Sequence, residues 1–197
     1  MSTGQSFPRV HQIRFMHSGL EDRMAIRLTM ASGEGRVLWL TRRGLVLLMQ
    51  RLNGVLKQSH PAGEGEAAHD MVMALEHIGA RSQIAAQREQ EQASADSGED
   101  KGIKPPTEWT HFLLTEALVE VQDETIVLAL SGQSLPNEPG LRQDPGPIGG
   151  LALTRPHAHE ILRLMGANAE QADWNIEQSI GWLKSPKRAE GDGETLT

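Results

Sequence analysis

The chain has 197 residues, no Cys, no Tyr, four Trp and three Phe, and its formal net charge is -7. The missing Cys excludes thiolate nucleophiles, disulfides, iron–sulfur clusters and Cys-type zinc sites, so any catalysis falls to Ser, His, Lys or carboxylates. A mean hydropathy of -0.40 with 38% hydrophobic residues is an ordinary globular composition. Apolar runs such as Leu45 to Met49 and Ile126 to Leu130 fall far short of the roughly 20 residues a membrane helix needs.

Met1 to His11 lacks an apolar stretch behind Arg9, so no secretory signal is expected and a cytoplasmic location is the default. Charge is unevenly distributed. Residues 1–60 hold nine Lys and Arg against three acids, a balance of +6; residues 61–100 sum to -7 and residues 101–197 to -6. A basic segment joined to acidic ones either packs against them or turns a positive face to an outside anion. Packing between the halves is the expectation.

In chain order, His11 to His17 reads as a strand, Ser18 to Asp22 as a turn, and Met24, Ile26, Leu28 and Met30 alternate as a half-exposed strand. Leu38-Trp-Leu-Thr-Arg42 ends a third strand. From Thr41 the apolar positions Leu45, Leu48, Met49 and Leu52 follow helical spacing. Ser59 to Gly65, with one Pro and two Gly, stops that helix. Glu66 to Glu91 then favours helix, with Ala67, Met71, Ala74, Leu75, Ile78 and Ala85 three and four apart. Gln92 to Pro106 is too polar to bury a core and is expected to be disordered.

The second half repeats the order. Phe112 to Val121 reads as a strand, Gln122 to Glu124 as a turn, and Ile126 to Leu130 as a strand buried on both faces. Ser131 to Gly150, with four Pro and five Gly, is expected to be an extra loop. Leu151-Ala-Leu-Thr-Arg155 repeats the earlier Leu-x-Leu-Thr-Arg motif, followed by Ala158, Ile161, Leu162 and Met165 at the matching helical positions. Gly166 is expected to stop that helix. A last one is expected from near Asn168, carrying Trp174, Ile176, Ile180, Trp182 and Leu183, at least one Trp of which is core. Ser185 to Thr197 is expected to be disordered.

The predicted fold is therefore α+β, an internal duplication of a βββα unit forming a pseudo-twofold antiparallel-sheet domain with helices on the sheet and a central linker helix. Its divisions are a first repeat at 1–60, a connecting helix at 61–91, a linker at 92–106, a second repeat with C-terminal helix at 107–184, and a tail. Each half alone lies near the lower limit for independent stability, so the two are expected to share a core.

Chemistry-bearing residues are few. Thr41 and Thr154 suit helix N-caps, and Pro156 suits a first helical turn. Arg42, Arg43 and Arg155 stand at the positive end of a helix dipole, where they either pair with carboxylates, the favoured reading, or serve a bound anion. His157 and His159 point about 200° apart on a helix and cannot share one metal ion. His69 and His77, two turns apart, cannot either, and both are read as exposed. No nucleophile elbow, phosphate loop or dinucleotide fingerprint occurs.

Arg14, Arg23, Arg27 and Arg36 make the first sheet basic, but its aromatics, Phe15 and Trp39, are expected to point into the core, which weakens a nucleic-acid reading. Met71, Leu75 and Ile78 are read as covering the sheet, with a helix-in-groove partner contact as the alternative. The expected function is a non-catalytic interaction module, an adaptor, assembly factor or structural subunit. Its expected partner is a protein or a second copy of the chain, with no cofactor, metal or membrane. Single-stranded nucleic-acid binding by the basic N-terminal sheet is the alternative.

Overall fold

The structure is a computed structural model that describes residues 6–59, 66–95, 104–136 and 144–176. Its elements follow the expected order: β1 (Val10–Ser18), β2 (Arg23–Met30), β3 (Gly35–Leu40), α1 (Arg42–Gln58), α2 (Glu66–Ala95), β4 (Trp109–Gln122), β5 (Thr125–Ser134), β6 (Gly146–Leu153) and α3 (Arg155–Gln171). The fold is α+β, with a six-stranded sheet in the sequential order β1-β2-β3-β4-β5-β6.

The sheet is mixed, not antiparallel as expected. β3 pairs with β4 in parallel, because the long connection through α1 and α2 carries the chain back before β4 begins. All other neighbouring strands are antiparallel. The sheet also curls until its ends touch. Arg9 forms a parallel bridge with Gly150, and the Gly150 amide donates to the Pro8 carbonyl at 2.8 Å. At this closure Gly149 has to be glycine: a Cβ there would lie 2.7 Å from Val10 Cγ2 and 3.3 Å from Leu28 Cδ1.

The inward face carries the core. Met24, Ile26, Leu28, Leu38, Leu40, Ile126, Leu128, Leu130 and Ile148 are almost fully buried, together with Leu45, Leu48, Met49, Leu52 and Leu56 of α1 and Ala158, Ile161, Leu162 and Met165 of α3. α1 packs against β4, α3 against β1, the two helices touch each other, and α2 packs along α3. The halves thus share one core. Polar contacts between them run mainly to neutral acceptors: Arg36 donates to the Ile148 carbonyl and Arg51 to the Ala117 carbonyl. Arg23 pairs with Glu21 and Arg36 with Glu34 inside the first half, and Arg163 pairs with Glu160 inside the second.

Both strand-to-helix corners are capped alike. Thr41 and Thr154 have φ/ψ of -74°/162° and -73°/163°, and their hydroxyls accept from the Gly44 and His157 amides. The β1–β2 and β4–β5 turns each hold an Asp in the left-handed region, Asp22 at φ 46° and Asp123 at φ 55°.

Three boundaries differ from expectation. Ser131–Ser134 and Gly146–Gly150 are strand, because Gly132, Gly149 and Gly150 fit where neighbouring chains approach too closely for a side chain. Gln92–Ala95 continue α2. α3 runs straight through Gly166: a mid-helix glycine costs only about 1 kcal/mol, and burial of Met165 and Ala169 on either side outweighs it. The helix ends at Ala172, and Trp174 and Ile176 follow as buried residues outside any helix. The tail from Ser185 to Thr197 and the residues Ile180, Trp182 and Leu183 lie outside the described residues.

Candidate functional site

α2 has two unlike faces. Met73, Ala80 and Ile84 are buried, whereas Met71, Leu75 and Ile78 are 67%, 63% and 63% exposed. Positions 71, 75 and 78 follow helical spacing and form one stripe. The expectation that this stripe covers the sheet is corrected here: α2 stands on α3, and the stripe points outward. Met73, an apolar residue off that spacing, faces the core instead.

Between α2 and α3 lies a compact polar junction. Arg155, at the first position of α3, donates from Nε and Nη2 to the two carboxylate oxygens of Glu76 at 3.3 and 2.7 Å. It also donates to Ser59 Oγ at 2.6 Å and to the Leu56 carbonyl at 3.1 Å, tying the end of α1 to both other helices. This is the carboxylate pairing expected of Arg155, with the acid supplied by α2. His159 is 1% exposed, sits 3.3 Å from the same Glu76 oxygen, and its ring lies 5.9 Å from that of His77. His77 is half-buried, contrary to its reading as an exposed residue. The side chain of His69 lies outside the described residues.

Burial pushes His159 down to about 4, against the opposing pull of Glu76. His77 is lowered by burial and by the Arg163 charge. Burial acts to raise Glu76, but the hydrogen bond and charge of Arg155, assisted by His159, hold its carboxyl below the usual range. Glu160, also buried, accepts two hydrogen bonds from Arg163 at 2.7 and 2.9 Å, which raises the Arg163 pKa. The shifts therefore come from burial and from fixed ion pairs. Among the described residues no group of three or more His, Asp or Glu is arranged to hold a metal ion.

Arg42 and Arg43 are exposed at the start of α1, whose first turn contains no acid. The Asp22 carboxylate is near enough for the Arg42 charge to contribute to its lowered pKa, behind hydrogen bonds from Trp174 and His17. His157 is exposed and lies 2.7 Å from Thr154 Oγ1. The structure thus separates the three arginines: Arg155 is locked in the helix junction and the other two face solvent. Beside the β1–β6 closure an open cleft of about 690 Å³ is walled by Phe7, Val10, Ile13, Ile84, Leu151 and Ile161, with Arg9, His11 and His157 among its polar groups.

The outward face of the first sheet is the feature that sequence reasoning misplaced. Phe15 points inward as expected, and so does Arg36, whose guanidinium lies 5.9 Å from the Phe112 ring centroid. Trp39 does not. Strand register places it on the outward face, beside Ala25 and Leu113. Two residues of the second half join that face through the parallel β3–β4 pair, Trp109 opposite Gly35 and His111 opposite Val37. Arg27 lies over the Trp109 ring at 4.7 Å, and the Trp39 indole N–H donates to His111 Nδ1 at 3.0 Å with the rings stacked 6.0 Å apart. The sequence signal was the alternation itself: an odd–even count along β3 puts Trp39 opposite in sense to Leu38 and Leu40.

No helix among the described residues is long and apolar enough to cross a membrane. Comparison of the chain with protein-family models, with curated proteins and with solved structures gives no match.

Proposed function

We propose that the protein is a non-catalytic interaction module, built from two related βββα halves, whose contact surface is the outward stripe of α2. The observation that carries this reading is the exposure of Met71, Leu75 and Ile78 in one row on a helix whose other face is packed. Single exposed apolar side chains are common on monomers, but a row of three large ones on one helix marks a surface that gains from being covered. The occupant is a partner protein that offers an apolar groove, received as helix-in-groove contacts spaced along one helix face.

The duplicated-halves part of the reading is supported by the matched caps at Thr41 and Thr154, by helices of 17 residues in both halves, and by the left-handed Asp in each first hairpin. The parallel contacts β3–β4 and β6–β1 also occupy equivalent places in the two halves. The non-catalytic part is supported by the state of the perturbed groups. Glu76 ties α2 to α3 through Arg155 and His159, and Glu160 and Arg163 pair with each other within α3.

The test compares the full chain with Leu75→Glu/Ile78→Glu by light scattering and by affinity purification from the source organism. Because both side chains face solvent, the variant should keep the wild-type circular dichroism. A protein retained by the wild type and lost from the variant supports the reading. A wild-type dimer that becomes monomeric in the variant replaces the partner by a second copy. Identical partner sets and identical mass for the two proteins overturn it.

A further inference from the structure

We propose that the outward face of β1 to β4 binds single-stranded nucleic acid, through arginines that take phosphates and tryptophans that take bases. This goes beyond the α2 reading and lies on a different surface. Its residues come from both halves of the chain. β1 and β2 supply Arg14, Arg23 and Arg27, β3 supplies Trp39, and β4 supplies Trp109 and His111.

The arginines are arranged for an anion from outside. Arg14 and Arg27 are direct cross-strand partners, and like charges in that position repel each other. Both are exposed, and neither has a carboxylate within ion-pairing distance among the described residues. Their backbones are paired across β1 and β2 while the Arg27 guanidinium reaches over Trp109 on β4, so the two charges stand along one face without a carboxylate partner, and a phosphate chain laid across that face supplies one.

The aromatic residues lie low on the sheet because the floor beneath them is small. Ala25, Thr29 and Val37 on the same face are buried under their larger neighbours. Gly35 has no Cβ where one would stand 2.8 Å from the Trp109 ring and 2.7 Å from Pro106, so the indole rests directly on β3. Arg27 already stacks on Trp109 and His111 on Trp39, which shows ring faces accepting flat cationic or aromatic groups.

Spacing fits a strand laid along β3. Trp109 is level with Gly35, and Trp39 is four residues further along, about 13 Å away at the rise of an extended chain. A stacked strand rises about 3.4 Å per nucleotide, so the two rings take bases about four apart, or fewer if the strand is stretched. The backbone of the arginine pair is level with Val37, between the backbone levels of Trp109 and Trp39, and the Arg27 guanidinium reaches from there over the Trp109 ring. Charge complementarity and base stacking together select a single strand. A duplex hides its base faces, and an acidic peptide has none to stack.

The test is fluorescence anisotropy of the full chain with labelled oligo-dT and oligo-rU of roughly a dozen nucleotides. Binding is expected at about 50 mM salt, weakening toward 200 mM with a log–log slope near -2, as for about three phosphate contacts on a single strand. Arg14→Glu/Arg27→Glu should cost at least about tenfold in affinity and flatten that slope. Trp39→Ala and Trp109→Ala should each cost about tenfold, whereas Trp109→Phe, which keeps a ring face, should bind within a few-fold of wild type. Leu75→Glu/Ile78→Glu should bind as the wild type does, which separates this surface from α2. Equal affinity for dT and rU, or a preference for either, supports the proposal. No binding of either oligomer at low salt overturns it. So does binding insensitive to the arginine or tryptophan changes, and so does equal competition by polyglutamate, which would show an unspecific polyanion contact.

Discussion

His159 shows how the protonation of a single residue is set by its surroundings. Its ring is buried against His77 and Glu76, and burial lowers its pKa from 6.5 to about 4. The unfolded chain therefore binds a proton at a pH where the folded chain does not. Stability contributed by the neutral ring is fully present above about pH 6.5, falls as pH drops from 6.5 to 4, and stays low below that. At about 1.4 kcal/mol per pH unit the fall from 6.5 to about 4 amounts to about 3 kcal/mol over the whole window, of which about 2 kcal/mol is lost between pH 7 and pH 5. Urea unfolding at pH 7 and pH 5 should show it, and His159→Phe should flatten that part of the profile. An unchanged profile in the variant would remove His159 as its source. Glu76 acts in a lower window: its depressed pKa adds stability above the ordinary carboxylate range that is lost on further acidification. Arg155→Ala, which leaves that carboxylate half-buried beside one histidine, should destabilise by about 3 kcal/mol. Of this junction the sequence announced only Arg155, since Glu76 and His77 are brought to it by the angle at which α2 lies on α3.

At the scale of elements, strand and helix periods were legible and their partners were not. The Leu-x-Leu-Thr-Arg corners located both strand-to-helix turns to within a residue, because an apolar strand end, a cap and an amphipathic helix are local properties. Which way Trp39 faces was also local, but its companions Trp109 and His111 arrive only through the parallel pairing of β3 with β4. The exposed α2 stripe was ambiguous for the same reason. Met71, Leu75 and Ile78 have a spacing equally suited to a core or a partner, and Met73 and Ile84 won the core. The two caps offer a test at this scale. α1 begins with two exposed arginines and no acid in its first turn, against the helix dipole. Arg43→Glu should therefore stabilise by about 0.5 kcal/mol, while Thr41→Ala and Thr154→Ala should each cost about 1 kcal/mol. Thermal melting measures all three. A lower melting temperature for Arg43→Glu would show that Arg43 has a favourable partner in the folded chain.

For the whole molecule, the unequal charge of the two halves suggested that they meet, and they do, but the core joins them more than the charges. Leu38 and Leu40 of the first half share a cluster with Leu128 and Leu130 of the second. Gly149 closes against Val10 and Leu28, and Arg36 reaches the Ile148 carbonyl. Removing either half would expose this shared interior and leave β3 or β4 as an unpaired apolar edge. A chain cut between α2 and β4 should therefore give two fragments, 1–95 and 104–197, neither of which melts cooperatively alone. Each holds one three-stranded unit with too little surface buried to offset its chain entropy. Mixed or co-expressed, they should recover a single cooperative transition, because the β3–β4 pair, the β6–β1 closure and the α2–α3 junction all form between fragments. Cooperative melting by either fragment alone would show that the halves are separate domains. It would also make the platform of Trp39, Trp109 and Arg27 an interface between domains, where otherwise it is a face of one rigid sheet.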